Sequence, residues 1–468
     1  MNAHLILIIA YCLVLILMGL WIGRRVKSSG SFFVAERRLG AGLLFSTLLA
    51  ANIGAGSTVG AAGLGFRDGL AAWWWVGSAG VGSILLGLWA GPRIWRIAKK
   101  HNLQTAGDFL EHRYGPAVRG VISSLLWVGT LAILAGQLIA LAWVLNVVAG
   151  IPKIAGCLIG GLVMTVYFTA GGLLGSAWIN MLQLAVLLLG FGAALPLILS
   201  AAGGWQGLQA SLPAENLSFW HNGSSGWPYL ILLAPAFIIS PGLLQKIYGA
   251  RDQGTVRRAV CLQGVALLIF ALIPPLLGMA ARVLYPDLEM REMALPTVLM
   301  NELPLWLGGL GLAAIVSAEI SSADAILFML ATSLSKDLYQ RFVNPDADDA
   351  QILKVARLAA VAGGVLGVGL AMLAESVVEV LRIFYGLLTV SLFVPVIAGL
   401  LQRRGGVAEA LAAIAAGLLT TLSLHLALDE LGSLSVWPVA AGLGAAVVLF
   451  LVVLWARALL KRPPDHTN

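Results

Sequence analysis

The chain has 468 residues, of which 59% are hydrophobic and only 11% charged, and its mean hydropathy is +0.92. An average soluble domain carries about 25% charged residues, so a soluble globule is excluded. The net charge of +7 and a pI near 9.5 would point to nucleic acid in a soluble protein. In a chain this apolar, Lys and Arg are topology signals first, and no nucleic-acid partner is expected.

At roughly 20 apolar residues per crossing, the polar breaks divide the chain into helices near 4–23, 41–66, 70–96, 118–148, 152–173, 178–203, 227–248, 256–284, 303–335, 355–374, 377–401, 406–427 and 435–456. This predicts an all-α integral membrane protein of 13 transmembrane helices. The first segment lacks a basic n-region and a small-x-small cleavage site ahead of Arg24 and Arg25, so it reads as a retained helix rather than a signal peptide. With the N-terminus outside, 24 of the 29 basic residues lie on the cytoplasmic side, in groups at Arg24 to Arg38, Arg93 to Arg119, Lys246 to Arg258, Lys336 to Arg357, Arg403 and Arg404, and Arg457 to Arg462. Only Arg67, Lys153, Arg282, Arg291 and Arg382 stay outside. The positive-inside rule then predicts a multi-pass protein of the cell inner membrane whose C-terminal KRPPDHTN tail is cytoplasmic. Cys12, Cys157 and Cys261 sit in apolar runs without metal-ligand spacing and read as small buried hydrophobes.

In chain order, the second segment carries Asn52-Ile53-Gly54-Ala55-Gly56-Ser57, and the third opens on Trp73-Trp74-Trp75. The tryptophans read as an interfacial aromatic belt or, at Trp74, as a stacking surface for a substrate. Gln137 lies in the fourth segment, Asn180 and Gln183 in the sixth, and Tyr385 in the eleventh; singly, such groups serve as interhelical bonds as readily as ligands. The seventh segment is interrupted at Ser240-Pro241-Gly242. Gly- or Pro-broken segments at corresponding places in two blocks of five helices predict an inverted repeat, because an odd block forces the second to enter from the opposite side. The expected organisation is therefore residues 1–40 as an extra N-terminal helix and loop, 41–203 as the first repeat, 204–226 as an external loop, 227–402 as the second repeat, and 403–468 as two extra C-terminal helices with the tail. Unwinding a helix at mid-membrane frees carbonyl oxygens that something other than lipid must satisfy, and a cation or a polar solute meets that need.

The ninth segment reads Ala314-Ile315-Val316-Ser317-Ala318-Glu319-Ile320-Ser321-Ser322-Ala323-Asp324-Ala325. Ionisable residues at that depth are costly and should face a cavity or the bundle interior. At about 100° per residue, Ala318, Ser321, Ser322 and Ala325 share one face, with Asp324 beside it. Hydroxyls plus the carbonyls of a broken helix form an oxygen-only set suited to sodium. The same serines could instead bond back to preceding carbonyls and ease packing. The role of Glu319 stays open between a structural pair and a direct one.

At these residues the sequence resembles the sodium:solute symporter family, whose members have the five-plus-five leucine-transporter fold. Ser31 to Gly40 is similar to the family's cytoplasmic segment before its first core helix, with Glu36 in place of a usual Gly. Ala50 to Ser57 resembles the broken first core helix, and Ala318-x-x-Ser321-Ser322 the partner motif on the eighth; Lys336-Asp337-Leu338-Tyr339 resembles that helix's ending. Gly171-Gly172-Leu173 with Trp178 to Gln183 resembles the fifth core helix, and Pro241 to Gln245 with Ala250-Arg251-Asp252 the sixth. The resemblance implies a sodium site made by the carbonyls of Ala50, Ile53 and Ala318 and the hydroxyls of Ser321 and Ser322. Members with a second sodium carry Asp where this chain has Asn180, so Asn180 and Asp324 read either as a modified auxiliary site for a cation or proton or as an interhelical hydrogen bond.

The resemblance places substrate contacts at Asn52, Gly54, Ser57 and Phe237, and the polar groups at Gln137 and Ser240 join the candidate pocket together with Trp74. The groups that hold a sugar in related transporters have no clear equivalents here. A small, partly apolar solute is expected, monocarboxylate or amino-acid-like rather than sugar, its carboxylate meeting backbone N–H groups. The function implied is a sodium-coupled symporter working by alternating access. The rivals are a proton-coupled transporter on the same fold, with Asp324 or Glu319 titrating, and a membrane sensor or scaffold, for which no soluble domain follows Trp455. Only His425 among the histidines lies within a span, and no hydrolase constellation accompanies it. No enzyme activity and no obligate protein partner are expected.

Overall fold

The computed structural model describes residues 2–23, 37–221, 226–401, 405–427 and 436–460, and the side chains of these residues except 19–23 and 166–178. Several groups named above, Arg24, Arg25, Lys27, Ser31 to Glu36, Arg403, Arg404, the tail after 460 and the side chains of Gly171 to Leu173 and Trp178, lie outside this description. The helices are α1 (Ala3–Gly23), α2 (Ala41–Asn52), α3 (Ala61–Asp68), α4 (Trp73–Leu85), α5 (Gly91–His101), α6 (Ala106–Tyr114), α7 (Pro116–Ala149), α8 (Lys153–Ala201), α9 (Gly204–Ser211), α10 (Tyr229–Ile238), α11 (Pro241–Tyr248), α12 (Gln253–Phe270), α13 (Ile273–Leu284), α14 (Ala294–Asn301), α15 (Leu305–Thr332), α16 (Asp349–Leu373), α17 (Val377–Leu401), α18 (Val407–Ala427) and α19 (Trp437–Leu460).

Among the described residues, 10 helical runs are long and apolar enough to cross a membrane, and Ala3–Met18, Ala41–Asn52 and Lys153–Thr165 are shorter apolar helices. Two boundaries expected from the sequence differ. The second and third predicted spans meet in one run, Gly56–His101, because the polar break Arg67-Asp68-Gly69 is short enough to be a tight junction. Gly69 (φ 68) ends α3 there, and a Cβ on it would stand 2.0 Å from the Asn216 carbonyl oxygen. The break expected between 173 and 178 falls inside α8, a run of 49 residues that at about 1.5 Å per residue exceeds two thicknesses of a ~30 Å bilayer core.

The two interruptions marked by Gly and Pro are present. α2 ends at Asn52, Ile53 is extended (φ -98, ψ 97), and the chain re-enters helix through a π-turn at Gly56–Gly60. α10 ends at Ile238, and Ser240 (φ -53, ψ 118) leads into Pro241 at the start of α11. Proline disfavours helical geometry in the residue before it and needs no N–H partner at a helix start, so Ser240-Pro241 both stops one helix and opens the next.

The most enclosed run is the one carrying α15, 94% buried over its most apolar window, whereas α18 and α19 are 28% and 22% buried over theirs. The polar residues of α15 therefore face protein. Close helix contact is bought with small residues: a Cβ on Gly278 of α13 would stand 2.0 Å from the Ala62 carbonyl oxygen of α3.

The segment before α2 is tied to the segment after α11. Leu39 and Ala250 form a bridge, with the Leu39 N–H donating to the Gly249 carbonyl at 3.0 Å and the Arg251 N–H to the Leu39 carbonyl at 3.1 Å. Arg37 adds bonds to the carbonyls of Tyr248 and Leu103. Arg119 pairs with Asp108, Glu111 and Asp337 at 2.8 to 2.9 Å, and Arg341 pairs with Glu111 at 2.7 Å. Burial acts to raise the Glu111 carboxyl, but hydrogen bonds and charge from Arg119 and Arg341 overcome it and hold the group below its ordinary 4.5. A depressed carboxylate stabilises the fold above its unfolded-state value and loses that contribution as pH falls through the folded-state value. Glu111→Gln is expected to lower Tm at neutral pH and to show a shallower loss of Tm below pH 4.5, measured by thermal unfolding of purified protein.

Candidate functional site

The first break and α15 meet at their polar residues. The Ser321 hydroxyl lies 2.8 Å from the Ala50 carbonyl oxygen and 3.1 Å from that of Ala318, and all three residues are buried. Three uncharged oxygens from two helices thus converge, the donor set a small hard cation takes. Ile53 is fully buried; its N–H closes the last turn of α2 on the Leu49 carbonyl at 3.0 Å, and its own backbone is extended. The Ser322 hydroxyl donates to the Ala51 carbonyl at 3.1 Å, one residue along from Ala50.

Side chains from elsewhere satisfy the unwound segment. The Gly54 N–H donates to the Ser57 hydroxyl at 2.9 Å, the Ala55 N–H to Gln137 Oε1 at 2.9 Å, and the Trp75 indole N–H to the Gly56 carbonyl at 2.9 Å. Thr58 Oγ1 sits 2.9 Å from the Gly54 carbonyl and 3.0 Å from Glu319 Oε1. Glu319 therefore braces the far side of the break from α15, a place the sequence left open. Thr58 itself was not singled out; a hydroxyl one turn past a Gly-rich break gave no signal of its own.

Against this segment lies a cavity of about 80 Å³ whose lining includes Asn52, Gly54, Ser57, Trp75, Gln137, Phe237, Ser240, Ser322 and Tyr385. Its aromatic wall is continuous: Trp75 meets Tyr229 and Tyr385 at 5.0 and 6.2 Å between ring centres, and Phe237 meets Tyr385 at 5.5 Å. Asn52 contributes a buried Nδ2 with no hydrogen-bond partner among the described residues. The N-terminus of α11 adds Gly242 and Leu243 to the lining. Ser322 and Ala51 face the cavity, whereas Ser321 and Ala50 stand behind them, so the cation ligands and the cavity are neighbouring but separate.

Trp74 is the clear misplacement among the predicted contacts. Its indole donates to the Phe219 carbonyl at 2.8 Å and its ring packs on Trp220 at 5.3 Å, away from the cavity; Trp75, one residue on, takes the inward position. A run of three tryptophans names a helix face only once the helix phase is known.

Asn180 turns to α2, its Nδ2 donating to Thr47 Oγ1 at 3.0 Å. The same oxygen accepts from Lys246 Nζ at 2.8 Å. Lys246 is 3% exposed. Asp324 is 5% exposed.

The model of the sodium:solute symporter family matches residues 32–417. The chain is 27% identical to the sodium/pantothenate symporter of Escherichia coli (strain K12), with 95% of each chain covered. It is 24% identical to the sodium/glucose cotransporter of Vibrio parahaemolyticus over 75% of this chain and 71% of that one. Among solved structures, a Na+-coupled sialic acid symporter in a substrate-bound outward-open state superposes with a TM-score of 0.84 at 19% identity, covering 100% of this chain and 99% of the other. The fold is that of the leucine-transporter-like symporters.

Proposed function

The chain belongs to the sodium:solute symporter family, and on that premise we propose that its sodium is bound by the Ala50, Ile53 and Ala318 carbonyls with the Ser321 hydroxyl, Ser322 closing the side toward the solute. The protein is a multi-pass membrane transporter, not an enzyme, and couples sodium to a small organic solute. The observation that carries the site is Ser321 Oγ within 3.1 Å of carbonyls on both α2 and α15. An ion held there ties two elements that alternating access must move apart, so it binds one state better than the other, and that difference is the coupling free energy.

The expected 13-span arrangement supplies the symmetry: residues 41–203 and 227–402 as inverted repeats whose broken helices meet at the site, in the inner membrane with the N-terminus outside. The solute occupies the cavity beside Asn52, Gly54, Ser57, Phe237 and Ser240, with Gln137 positioning the break. The donors there, Asn52 Nδ2 and the first-turn N–H groups of α11, suit a carboxylate, while Trp75, Phe237 and Tyr385 suit an apolar body. A cavity of about 80 Å³ also favours a small solute. The pantothenate relative is named for a carboxylate ion, which supports a monocarboxylate or amino-acid-like solute over a sugar.

A thermal-shift screen of the purified protein against monocarboxylates, amino acids and sugars, run in sodium and in choline, tests this reading. Expected is a stabilising monocarboxylate or amino acid whose effect requires sodium, since ligand binding to the folded state raises Tm by mass action. Stabilisation by sugars alone would overturn the solute class, and equal stabilisation in choline would overturn the coupling.

A further inference from the structure

We propose that Tyr11 of α1 is a positioning residue for sodium binding: its hydroxyl, acting through Ser317, fixes the rotation of α15 at the turn that presents the Ala318 and Ser321 oxygens. The inference rests on the sodium site proposed above and extends it to a helix outside residues 32–417, the part of the chain that the family model matches.

α1 buries one face. His4, Ile8 and Leu15 are buried, whereas Ile6, Leu13, Val14 and Leu17 are exposed. Half-buried Tyr11 falls in the His4-Ile8-Leu15 stripe at spacings of three and four, and it carries the one hydroxyl in the sequence of α1. That stripe meets α15. A Cβ on Gly308 would stand 3.0 Å from His4 Nε2, and Tyr11 Oη lies 2.5 Å from Ser317 Oγ. Position rises along both helices together, so the two run side by side in the same direction.

The direction of the hydrogen bond follows from a count of hydrogens. Ser317 Oγ donates to the Ala313 carbonyl at 2.8 Å, and a serine hydroxyl has a single hydrogen to give. Tyr11 is therefore the donor, and its bond joins that of Ser317 in a short chain ending on the Ala313 carbonyl. A phenylalanine would fill the same space. What the hydroxyl adds is direction: an apolar contact sets how closely two helices approach but tolerates a small turn of either, whereas a hydrogen bond weakens as its angle closes.

Rotation matters here because the proposed ligands come from two helices. Ser321 Oγ meets the Ala50 carbonyl of α2 at 2.8 Å, and a side-chain atom about 5 Å from a helix axis moves about 1.3 Å when the helix turns by about 15°. A slip of that size separates the two. Ser317 lies one turn before Ser321 and about 40° from it around the axis, so a bond at Ser317 holds the ligand turn itself. The side chains of Ser321, Ser322 and Glu319 bond to α2 and the break that follows it, which alternating access displaces. Ser317 bonds instead to α1, and that bond keeps α15 in phase when the others part.

Sodium titration of purified protein, followed by tryptophan fluorescence, tests the proposal without knowledge of the solute. Tyr11→Phe is expected to raise the half-saturating sodium concentration by about 2- to 10-fold, the effect of losing one neutral hydrogen bond. Ser317→Ala should raise it by a similar factor, and the double variant should be no worse than either single one, because each removes the same bond. Ile8→Ala, which loosens the packing of α1 without touching the hydroxyl, should lower the sodium-free Tm more than Tyr11→Phe does and leave sodium half-saturation at the wild-type value. Unchanged half-saturation in Tyr11→Phe, multiplied effects in the double variant, or an equal shift in Ile8→Ala overturns the proposal. The sodium site still stands in those cases if Ser321→Ala weakens sodium binding; if Ser321→Ala leaves the titration unchanged, the site and the inference fall together. If Ile8→Ala does not fold, the Tyr11→Phe, Ser317→Ala and double-variant titrations decide.

Discussion

Gly54→Ala is expected to abolish sodium-driven uptake while the chain still inserts in the membrane. A Cβ at that position would stand 2.3 Å from Ser322 Oγ, 2.6 Å from Ser322 Cβ and 2.6 Å from Gln137 Oε1. Gln137 has a flexible stem and can withdraw, but withdrawal strips the Ala55 N–H of its partner, a loss of about 1 kcal/mol or more for a buried donor. Ser322 cannot withdraw, because its Cβ is fixed by α15. Overpacking of this kind costs about 1–3 kcal/mol, and it is exerted on the two helices that hold the cation ligands. The conformational balance of the transporter is then changed by an amount comparable to a coupling free energy, itself about 1–3 kcal/mol. The check is uptake into vesicles normalised to inserted protein. Adding Ser322→Gly, which removes both serine contacts, should restore part of the rate; full activity in Gly54→Ala alone would show that the break has room to spare.

The helical class, the two breaks and the polar face of α15 were legible in the sequence because each has a local cause. Apolar length marks a crossing, Ser240-Pro241 ends one helix and starts another, and serines on a buried helix must face protein. Contacts set by helix phase or by a distant element were not legible. Trp74 and Trp75 are adjacent and equally apolar, and only the turn at Gly69 decides that Trp75 faces the cavity. Lys246 looked like the first of a basic cytoplasmic group, since nothing in Gln245-Lys246-Ile247 tells a lysine at a membrane edge from one folded back onto Thr47. Arg119 is a second case: counted as a topology signal, it lies buried among three carboxylates drawn from α6 and from the segment after α15. Glu319 was found by its charge, while its partner Thr58 is 261 residues away in sequence and carries no mark of its own.

Ser321→Ala is expected to raise the half-saturating sodium concentration by about 10- to 150-fold, the effect of losing about 1.5–3 kcal/mol of interaction with a charged ligand. Ser321 Oγ lies within reach of both the Ala50 and Ala318 carbonyls, so its removal leaves the ion with backbone ligands on two helices and takes away the hydroxyl between them. Ser322→Ala should act differently. Its hydroxyl rests on the Ala51 carbonyl and faces the cavity, so its loss is expected to weaken solute binding more than sodium binding. Combining the two should give a sodium requirement close to that of Ser321→Ala alone, with poorer solute affinity. Sodium titration of purified protein followed by tryptophan fluorescence, with Trp75 bonded to the break at Gly56 as a reporter, measures the first quantity; solute titration at saturating sodium measures the second. Equal sodium effects of the two single variants would mean that both hydroxyls ligate the ion directly, and an unchanged titration in Ser321→Ala would remove the site from the α2 and α15 contact altogether.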